Sequence, residues 1–118
     1  MSGLRKTIFC DIDGCIFVHL VDLPHMMTER PSLLPGVQEK FQEWREKDYY
    51  IILTTARPEG CRSTTESQLV SYGLFWDKLV MGLPVGPRVL INDVKPSGLQ
   101  TAIAVNLLRN VGLGDIHV

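Results

Sequence analysis

The chain has 118 residues, which is enough for one domain with its own core and hardly enough for two. Hydrophobic residues make up 45% of it and charged residues 21%, as in ordinary soluble globular proteins. Its 12 Lys and Arg residues against 13 Asp and Glu give a net charge of -1, which excludes a general attraction to nucleic acid or to an anionic membrane. We therefore expect neither as a partner, and any phosphate must be bound by a local site.

The cysteines and the first residues bear on the location of the chain. Three cysteines, Cys10, Cys15 and Cys61, are an odd number without CxxC spacing, so they indicate neither a disulfide framework nor a zinc site. The start of the sequence has no signal-peptide pattern, and no apolar run is long enough to span a membrane. We expect a single domain over residues 1–118 and a cytoplasmic location.

The first predicted strand, Thr7 to Cys10, leads into Asp11-Ile12-Asp13-Gly14. In an extended chain, residues i and i+2 point to the same side, so Asp11 and Asp13 are expected to repel each other. Such a pair favours a bound cation, and oxygen ligands suit Mg²⁺, which usually takes one or two carboxylates plus a substrate phosphate. Taken alone, the stretch fits an Asp-Gly surface turn equally well.

The rest of the chain alternates between helical and extended patterns. Residues 16–21 suit an extended flap or a tight helical turn, and the proline-containing 22–35 stretch is expected to be irregular, so that a flap covers about 16–35. Apolar and polar periodicity then predicts helices at Val37 to Glu46 and Glu59 to Tyr72. Four further strands are predicted at Tyr49 to Leu53, Lys78 to Met81, Arg88 to Ile91 and Thr101 to Val105.

Strands that alternate with helices predict an α/β fold. We expect a three-layer, Rossmann-like parallel sheet with right-handed crossovers and helices on both faces. Ligands of such sheets bind outside the carboxyl ends of the strands. The polar residues that stand out share one property, because each closely follows a predicted strand: Asp11, Asp13, Thr55, Arg57 and Asp93.

Carboxylates, a hydroxyl and a cation at one edge of a sheet suit phosphoryl transfer, in which positioning and electrostatic stabilisation dominate. One Asp can attack phosphorus and form an aspartyl-phosphate. A second carboxylate can protonate the leaving oxygen and later activate water. Mg²⁺ screens the nucleophile from the phosphate.

With these motifs the chain resembles the haloacid dehalogenase (HAD) superfamily of phosphohydrolases. The first motif of that family, a strand followed by DxDG, is present as Asp11-Ile12-Asp13-Gly14. The second, a strand ending in Ser or Thr, is present with a TxR pattern as Thr55-Ala56-Arg57. The fourth, a strand ending in an acidic residue, is present as Asn92-Asp93. The resemblance covers nearly the whole chain in the right order.

The resemblance implies a role for each matching residue. Asp11 is the nucleophile and a metal ligand, and Asp13 is the general acid/base that lends its backbone carbonyl to the metal. Thr55 binds the phosphoryl group, with Thr54 as the alternative. Asp93 completes the Mg²⁺ site.

The third motif of the family is a Lys or Arg, and several residues compete for it. Arg88 is preferred, with Lys78 as an alternative and Arg57 as a substitute source of positive charge on the phosphate. Two departures from the family pattern stand out. Cys15 replaces the usual Thr, and Asn92 stands where a second acidic residue is common, which reduces the expected metal affinity.

The spacing of the motifs leaves no room for the cap domain that usually closes such sites. We expect an open site that acts on a phosphorylated small molecule such as a sugar phosphate or a nucleotide. Leu23, Met26 and Met27 in the 22–35 stretch are apolar residues that a lone surface loop has little reason to display. They predict a homo-oligomer in which this stretch packs against a neighbouring chain.

Two other readings compete with a phosphatase. The first is a degenerate relative that binds a phosphorylated ligand or partner without turnover, which the altered third and fourth motifs favour. The second is a phospho-acceptor signalling domain. That class expects its acceptor Asp after a middle strand, whereas here the middle strand ends in Thr54 and Thr55.

Overall fold

The fold was analysed in a computed structural model that describes residues 4–20, 22, 24 and 30–118. Its sheet contains three parallel strands in the order β1-β2-β3, namely β1 (Thr7–Asp11), β2 (Tyr50–Thr54) and β3 (Lys78–Val80). Two connections carry the helices, α1 (Val37–Glu46) between β1 and β2, and a 3₁₀ turn (Glu59–Cys61) followed by α2 (Arg62–Ser71) between β2 and β3. The predicted α/β fold with a parallel sheet is confirmed.

The helix α1 has the bounds that its apolar spacing predicts. Val37, Phe41 and Trp44 are buried against the sheet, and the Phe41 ring meets Phe75 edge-on at 5.7 Å between centroids. Lys40 of this helix carries a charge, yet only 6% of it is exposed. Its Nζ donates a hydrogen bond of 2.6 Å to the Ile116 carbonyl, so the aliphatic stem is buried while the ammonium group stays paired.

Both helices cover the same face of the sheet. Successive right-handed crossovers that advance in one direction, from β1 to β2 to β3, place their helices on one side. The side chains of that face are buried: Cys10, Ile12, Ile51, Leu53, Leu79 and Met81. On the opposite face Phe9 is 56% exposed and Val80 38% exposed. Among the described residues, no helix follows β3.

The predicted fourth and fifth strands are wrong, because the described chain has no strand after β3. Residues 84–108, here called the 84–108 segment, contain no helix or strand, and nearly all of them are exposed. A parallel neighbour needs a crossover of a dozen or more residues. Only residues 81–87, with two glycines and two prolines, separate β3 from Arg88, so the chain cannot return to pair beside β3.

After this segment the chain returns to the body of the fold. Leu113 is 1% exposed, and its N–H donates to the Pro35 carbonyl at 3.0 Å. Gly112 lies so close to Pro35 that a Cβ there would overlap the proline carbonyl, and its φ of 90° also favours glycine. The C-terminal turn is thereby fixed beside the start of α1.

Part of the stretch predicted as a flap over 16–35 lies within the described residues. Ile16 and Phe17 are fully buried, and Phe17 forms isolated bridges with Asp13 and Leu33, so both belong to the core. Leu23, Met26 and Met27, on which the predicted self-association rests, lie outside the described residues. Within the described ranges, no helix has the length and apolar character needed to cross a membrane.

Candidate active site

The two aspartates lie in a tight loop at the carboxyl end of β1. Asp11 ends the strand, and the carbonyl of the buried Ile12 accepts hydrogen bonds from the Ile16 and Phe17 amides at 2.8 and 3.1 Å. Gly14, at φ 93°, reverses the chain and donates to the Phe17 carbonyl at 2.7 Å. The loop is thus anchored on core residues while Asp11 remains exposed and the Asp13 side chain keeps 13% of its surface.

Asp13 is held by a buried arginine. Arg57 Nε lies 2.9 Å from Asp13 Oδ2, and Arg57 Nη2 lies 2.8 Å from Asp13 Oδ1, a two-point pairing across both carboxylate oxygens. Arg57 Nη1 donates to Thr65 Oγ1 at 3.0 Å and to Gln68 Oε1 at 2.6 Å, both on α2. Arg57 is 3% exposed. The phosphate-binding role proposed for Arg57 stays a prediction. The described hydrogen bonds of its guanidinium are all donated to side chains of the protein.

The two threonines after β2 occupy different environments. Thr54 is the register partner of Asp11, so the two side chains lie on the same face of the sheet. Thr55 is 1% exposed, and its Oγ1 accepts the Arg57 amide at 3.0 Å. Thr54, the alternative candidate, is therefore the threonine that shares a face with Asp11, whereas Thr55 supports the turn that carries Arg57.

The charge balance around Asp11 is mixed. Partial burial of its carboxylate raises its pKa, although the residue as a whole is exposed, and the Asp13 carboxylate raises the pKa further. The Ile12 amide, Arg88 and His19 lower that pKa. Burial also raises the pKa of the neighbouring Cys15 thiol, and the two aspartates add to the effect.

The structure distinguishes between two candidates for the third-motif cation, Arg88 and Lys78. The positive charge of the Arg88 guanidinium lowers the pKa of Asp11. Arg88 Nη1 donates hydrogen bonds to the carbonyls of Pro84 and Gly86 at 2.9 and 2.6 Å. Lys78 begins β3 in register with Ile52, so it lies two residues before the level of Thr54 and Asp11 along the sheet. Arg88 is the better placed of the two.

Asp93 is not gathered into the aspartate pair. It lies in the exposed 84–108 segment, where its carbonyl accepts the Thr101 hydroxyl at 2.5 Å and Asn92 Nδ2 donates to the Thr101 carbonyl at 3.1 Å. Among the described residues, no three His, Cys, Asp or Glu side chains are placed to share a metal ion. The role of Asp93 as a ligand stays a prediction.

Residues that sequence reasoning missed also support the site. Thr65 and Gln68 hold Arg57, and their three-residue spacing on α2 is the signal that places them on one helix face. Asn110 donates from its backbone to the Gly14 carbonyl at 2.9 Å and accepts the His19 amide on Oδ1 at 2.8 Å. Its φ of 67° lies in the left-handed region, which Asn adopts more readily than most residues. The hydrogen bond with His19 spans 91 residues, so local sequence pattern could not have identified it.

Comparisons with known proteins gave no match to a family model and no match among curated proteins. Solved structures do match. A Pnkp1/Rnl/Hen1 complex is similar at 25% identity and a TM-score of 0.60, over 75% of this chain and 32% of that one. A Pnkp1/Rnl/Hen1 RNA repair complex is similar at 26% identity and a TM-score of 0.57, over 69% and 27%.

A third solved structure is the D,D-heptose 1.7-bisphosphate phosphatase from B. bronchiseptica, complexed with magnesium and phosphate. It matches at 20% identity and a TM-score of 0.46, over 70% of this chain and 52% of that one. This chain thus spans about a third of the first structures it matches, and about half of the third.

Proposed function

We propose that the protein is a Mg²⁺-dependent phosphohydrolase of the HAD type that cleaves a phosphate monoester through an aspartyl-phosphate. One observation carries the proposal: the exposed Asp11 stands beside Thr54 in register, next to an Asp13 that a buried Arg57 holds in place. A nucleophile, a hydroxyl and an oriented second carboxylate are the groups that this chemistry needs.

The reaction has two steps. A carboxylate oxygen of Asp11 attacks phosphorus, the bond from phosphorus to the ester oxygen breaks, and the leaving oxygen takes a proton from Asp13. Water then attacks the phosphorus of the aspartyl-phosphate and gives a proton to Asp13. Inorganic phosphate leaves, and the Asp11 carboxylate is restored. The Thr54 hydroxyl donates to a non-bridging phosphoryl oxygen, and Arg88 adds positive charge nearby.

The donor set suits Mg²⁺. The Asp11 carboxylate and the Asp13 backbone carbonyl are the oxygens that would hold the ion, and water and substrate phosphate usually complete such a site. The two Asp13 carboxylate oxygens are already paired with Arg57, so Asp13 contributes its carbonyl instead. When bound, the ion would neutralise the charge between Asp11 and the incoming phosphate.

The substrate class can be narrowed by an experiment. An open site admits a macromolecular phosphate, and two of the similar structures are of a Pnkp1/Rnl/Hen1 complex, one of them described as an RNA repair complex. We therefore add terminal phosphates of RNA to sugar phosphates and nucleotides as candidate substrates. The net charge of -1 argues for recognition of the phosphate end alone, without an extended nucleic-acid surface.

The test is release of inorganic phosphate from this panel with and without Mg²⁺. We expect Mg²⁺-dependent turnover of at least one class, and Asp11→Asn should abolish it, because an amide cannot act as the nucleophile, while leaving the fold intact. Full activity of Asp11→Asn would overturn the aspartyl-phosphate mechanism.

The alternative is a protein that binds a phosphorylated ligand without turnover, and the engagement of both Asp13 oxygens favours it. In that case the wild-type protein should bind a ligand of the panel in a calorimeter but release no phosphate from it.

A further inference from the structure

The most fully buried charged group near the site is one that the proposed chemistry does not use directly. The Arg57 side chain in its ion pair with Asp13 keeps 1% of its surface, and Asp13 keeps 13%. A buried cation is costly unless its donors are satisfied. Four of its five guanidinium N–H groups donate hydrogen bonds to Asp13, Thr65 and Gln68, and its backbone amide donates to Thr55 Oγ1. A guanidinium with so little exposed surface does not serve as a surface charge.

We propose that Arg57 is a positioning residue that fixes the carboxylate of Asp13, and that Thr65 and Gln68 of α2 fix Arg57 in turn. The inference rests on the proposed function, because it explains how Asp13, the general acid/base of that reaction, is oriented. The planar guanidinium matches a carboxylate at two points, so it fixes both the rotation and the position of Asp13.

The pairing leaves Asp13 able to act. Each carboxylate oxygen has two lone pairs, and Arg57 uses one on each. The remaining lone pairs can carry the proton that passes to the leaving oxygen in the first step and comes from water in the second. Because the guanidinium stays protonated throughout, Arg57 holds Asp13 without exchanging a proton with it.

Helix α2 takes part in the same arrangement. Thr65 Oγ1 and Gln68 Oε1 accept the two hydrogen bonds from Arg57 Nη1, and Thr65 is fully buried. The Phe17 ring lies 5.9 Å from Arg57 Cζ and closes the side toward the aspartate loop. A shift of α2 would therefore move Arg57 and, through it, Asp13.

The kinetic test uses two esters that differ in their leaving group. The value of kcat/KM reports the steps up to the aspartyl-phosphate. An alkyl phosphate needs a proton on its leaving oxygen, whereas p-nitrophenyl phosphate scarcely does. We expect Arg57→Lys to lower kcat/KM for the alkyl ester on the order of 100-fold, as for a misplaced catalytic group, and for p-nitrophenyl phosphate by less than about 3-fold. An equal loss on both esters would indicate a structural role only and would overturn the proposal.

Matched variants separate Arg57 from other arginines. Arg62, also a helix-associated arginine with ion pairs to Glu59 and Glu66, serves as the control, and Arg62→Ala should leave the ratio of the two esters unchanged. Guanidinium ion at millimolar concentration should restore activity toward the alkyl ester to Arg57→Ala, by at least about 10-fold, and should not change Arg62→Ala. Thr65→Val should shift the ratio in the same direction as Arg57→Lys, but less. A change in the ratio for Arg62→Ala, or equal guanidinium effects on both variants, contradicts the proposal.

A spectroscopic measurement decides the inference even if no ester is turned over. The Nε–H of Arg57 is hydrogen-bonded and buried, so its proton should exchange slowly and give a resolved NMR signal. We expect that signal in the wild-type protein and in Asp11→Asn, and its loss in Asp13→Ala. An unchanged signal in Asp13→Ala would overturn the pairing. Absence of turnover with this NMR pattern intact would instead count against the proposed function alone.

Discussion

Two apolar stretches that look alike in the sequence have opposite fates in the structure. Ile51 and Leu53 of β2 are fully buried, whereas Val89 and Ile91 of the 84–108 segment are 82% and 86% exposed. β2 lies between two strands, and helices α1 and α2 cover it. The later stretch follows a short Gly- and Pro-containing loop and has no helix on either side. An apolar run becomes a strand only where the chain also supplies a crossover and a cover.

The overall dimensions reflect the same difference. The radius of gyration is 14.9 Å, and the longest extent is 49 Å against 28 and 25 Å for the others. A compact domain of this length has a radius of gyration of about 13.5 Å. The excess is consistent with an extended 84–108 segment on a compact body. The segment begins and ends beside the aspartate loop, since Leu83 N–H donates to the Thr55 carbonyl and Asn110 N–H donates to the Gly14 carbonyl.

Hydrogen exchange should separate the two stretches by the largest margin. The amides of β2 belong to the sheet, whereas the amides of residues 89–91 have no backbone acceptor in the described part of the chain. We expect exchange at residues 89–91 to be faster than at Ile51 to Leu53 by at least about three orders of magnitude. Comparable protection would mean that residues 88–91 form a strand on the open edge of β1.

A matched pair of isoleucines tests the same contrast through stability. Ile51→Ala empties a fully buried position and should lower the free energy of unfolding by about 2–5 kcal/mol. Ile91→Ala, at a position 86% exposed, should change it by less than about 0.5 kcal/mol. Urea unfolding of both variants measures the difference. A cost at Ile91 close to that at Ile51 would require the segment to be packed in solution.

The body of the fold was predictable because its signals are local and agree with one another. Helical spacing gives α1 its bounds, and the uninterrupted apolar run gives β2. The Asp-x-Asp and Thr-x-Arg patterns place Asp11, Asp13 and Arg57 at one edge of the sheet. The pairing of Arg57 with Asp13 could not be predicted, because the two residues are 44 positions apart. It also depends on where α2 places Thr65 and Gln68, which accept hydrogen bonds from Arg57.

The fate of the later part was not predictable from local pattern. Arg88 to Ile91 has the composition of a strand, and periodicity carries no information on whether a partner strand is within reach. The prediction that Asp93 is a metal ligand was drawn from that strand, and in the described structure Asp93 lies in the exposed 84–108 segment. The Asp93 carboxylate and the Ile91 side chain are exposed for the same reason, because the 84–108 segment does not pair with the sheet.

Magnesium binding sharpens the comparison further. In the proposed Mg²⁺ site, the Asp11 carboxylate and the Asp13 carbonyl would be held together only in the folded chain, so Mg²⁺ should raise the melting temperature by mass action. From the described geometry, we expect Asp11→Asn to lose most of that shift and Asp93→Asn to keep it. Thermal melts with Mg²⁺ and with EDTA measure both. Loss of the shift in Asp93→Asn would place Asp93 among the ligands, as the sequence predicted, and would bring the 84–108 segment onto the sheet.

The smallest expected effect is on the pH dependence of stability, and it arises from the charge of Asp11 and its interaction with Arg88 of the 84–108 segment. Partial burial and Asp13 raise the pKa of Asp11 above its unfolded value, so the ionised carboxylate destabilises the fold. For a raised acidic pKa, the penalty is absent below the unfolded pKa, grows between the unfolded and the folded pKa, and is complete above the folded pKa. In EDTA, Asp11→Asn should therefore be more stable than the wild type at pH 7, and this advantage should vanish toward pH 3.

Arg88 lowers the pKa of Asp11 and so offsets part of this penalty from within the 84–108 segment. In an Arg88→Gln background the stabilisation by Asp11→Asn at pH 7 should thus be larger than in the wild-type background. The difference should be a fraction of about 1 kcal/mol, because both groups are largely solvated, and 1 M salt should remove it. A double-mutant cycle by urea unfolding at pH 7 and pH 4 measures it. Strict additivity of the two substitutions at low salt would mean that the start of the segment does not stay beside the aspartates in solution.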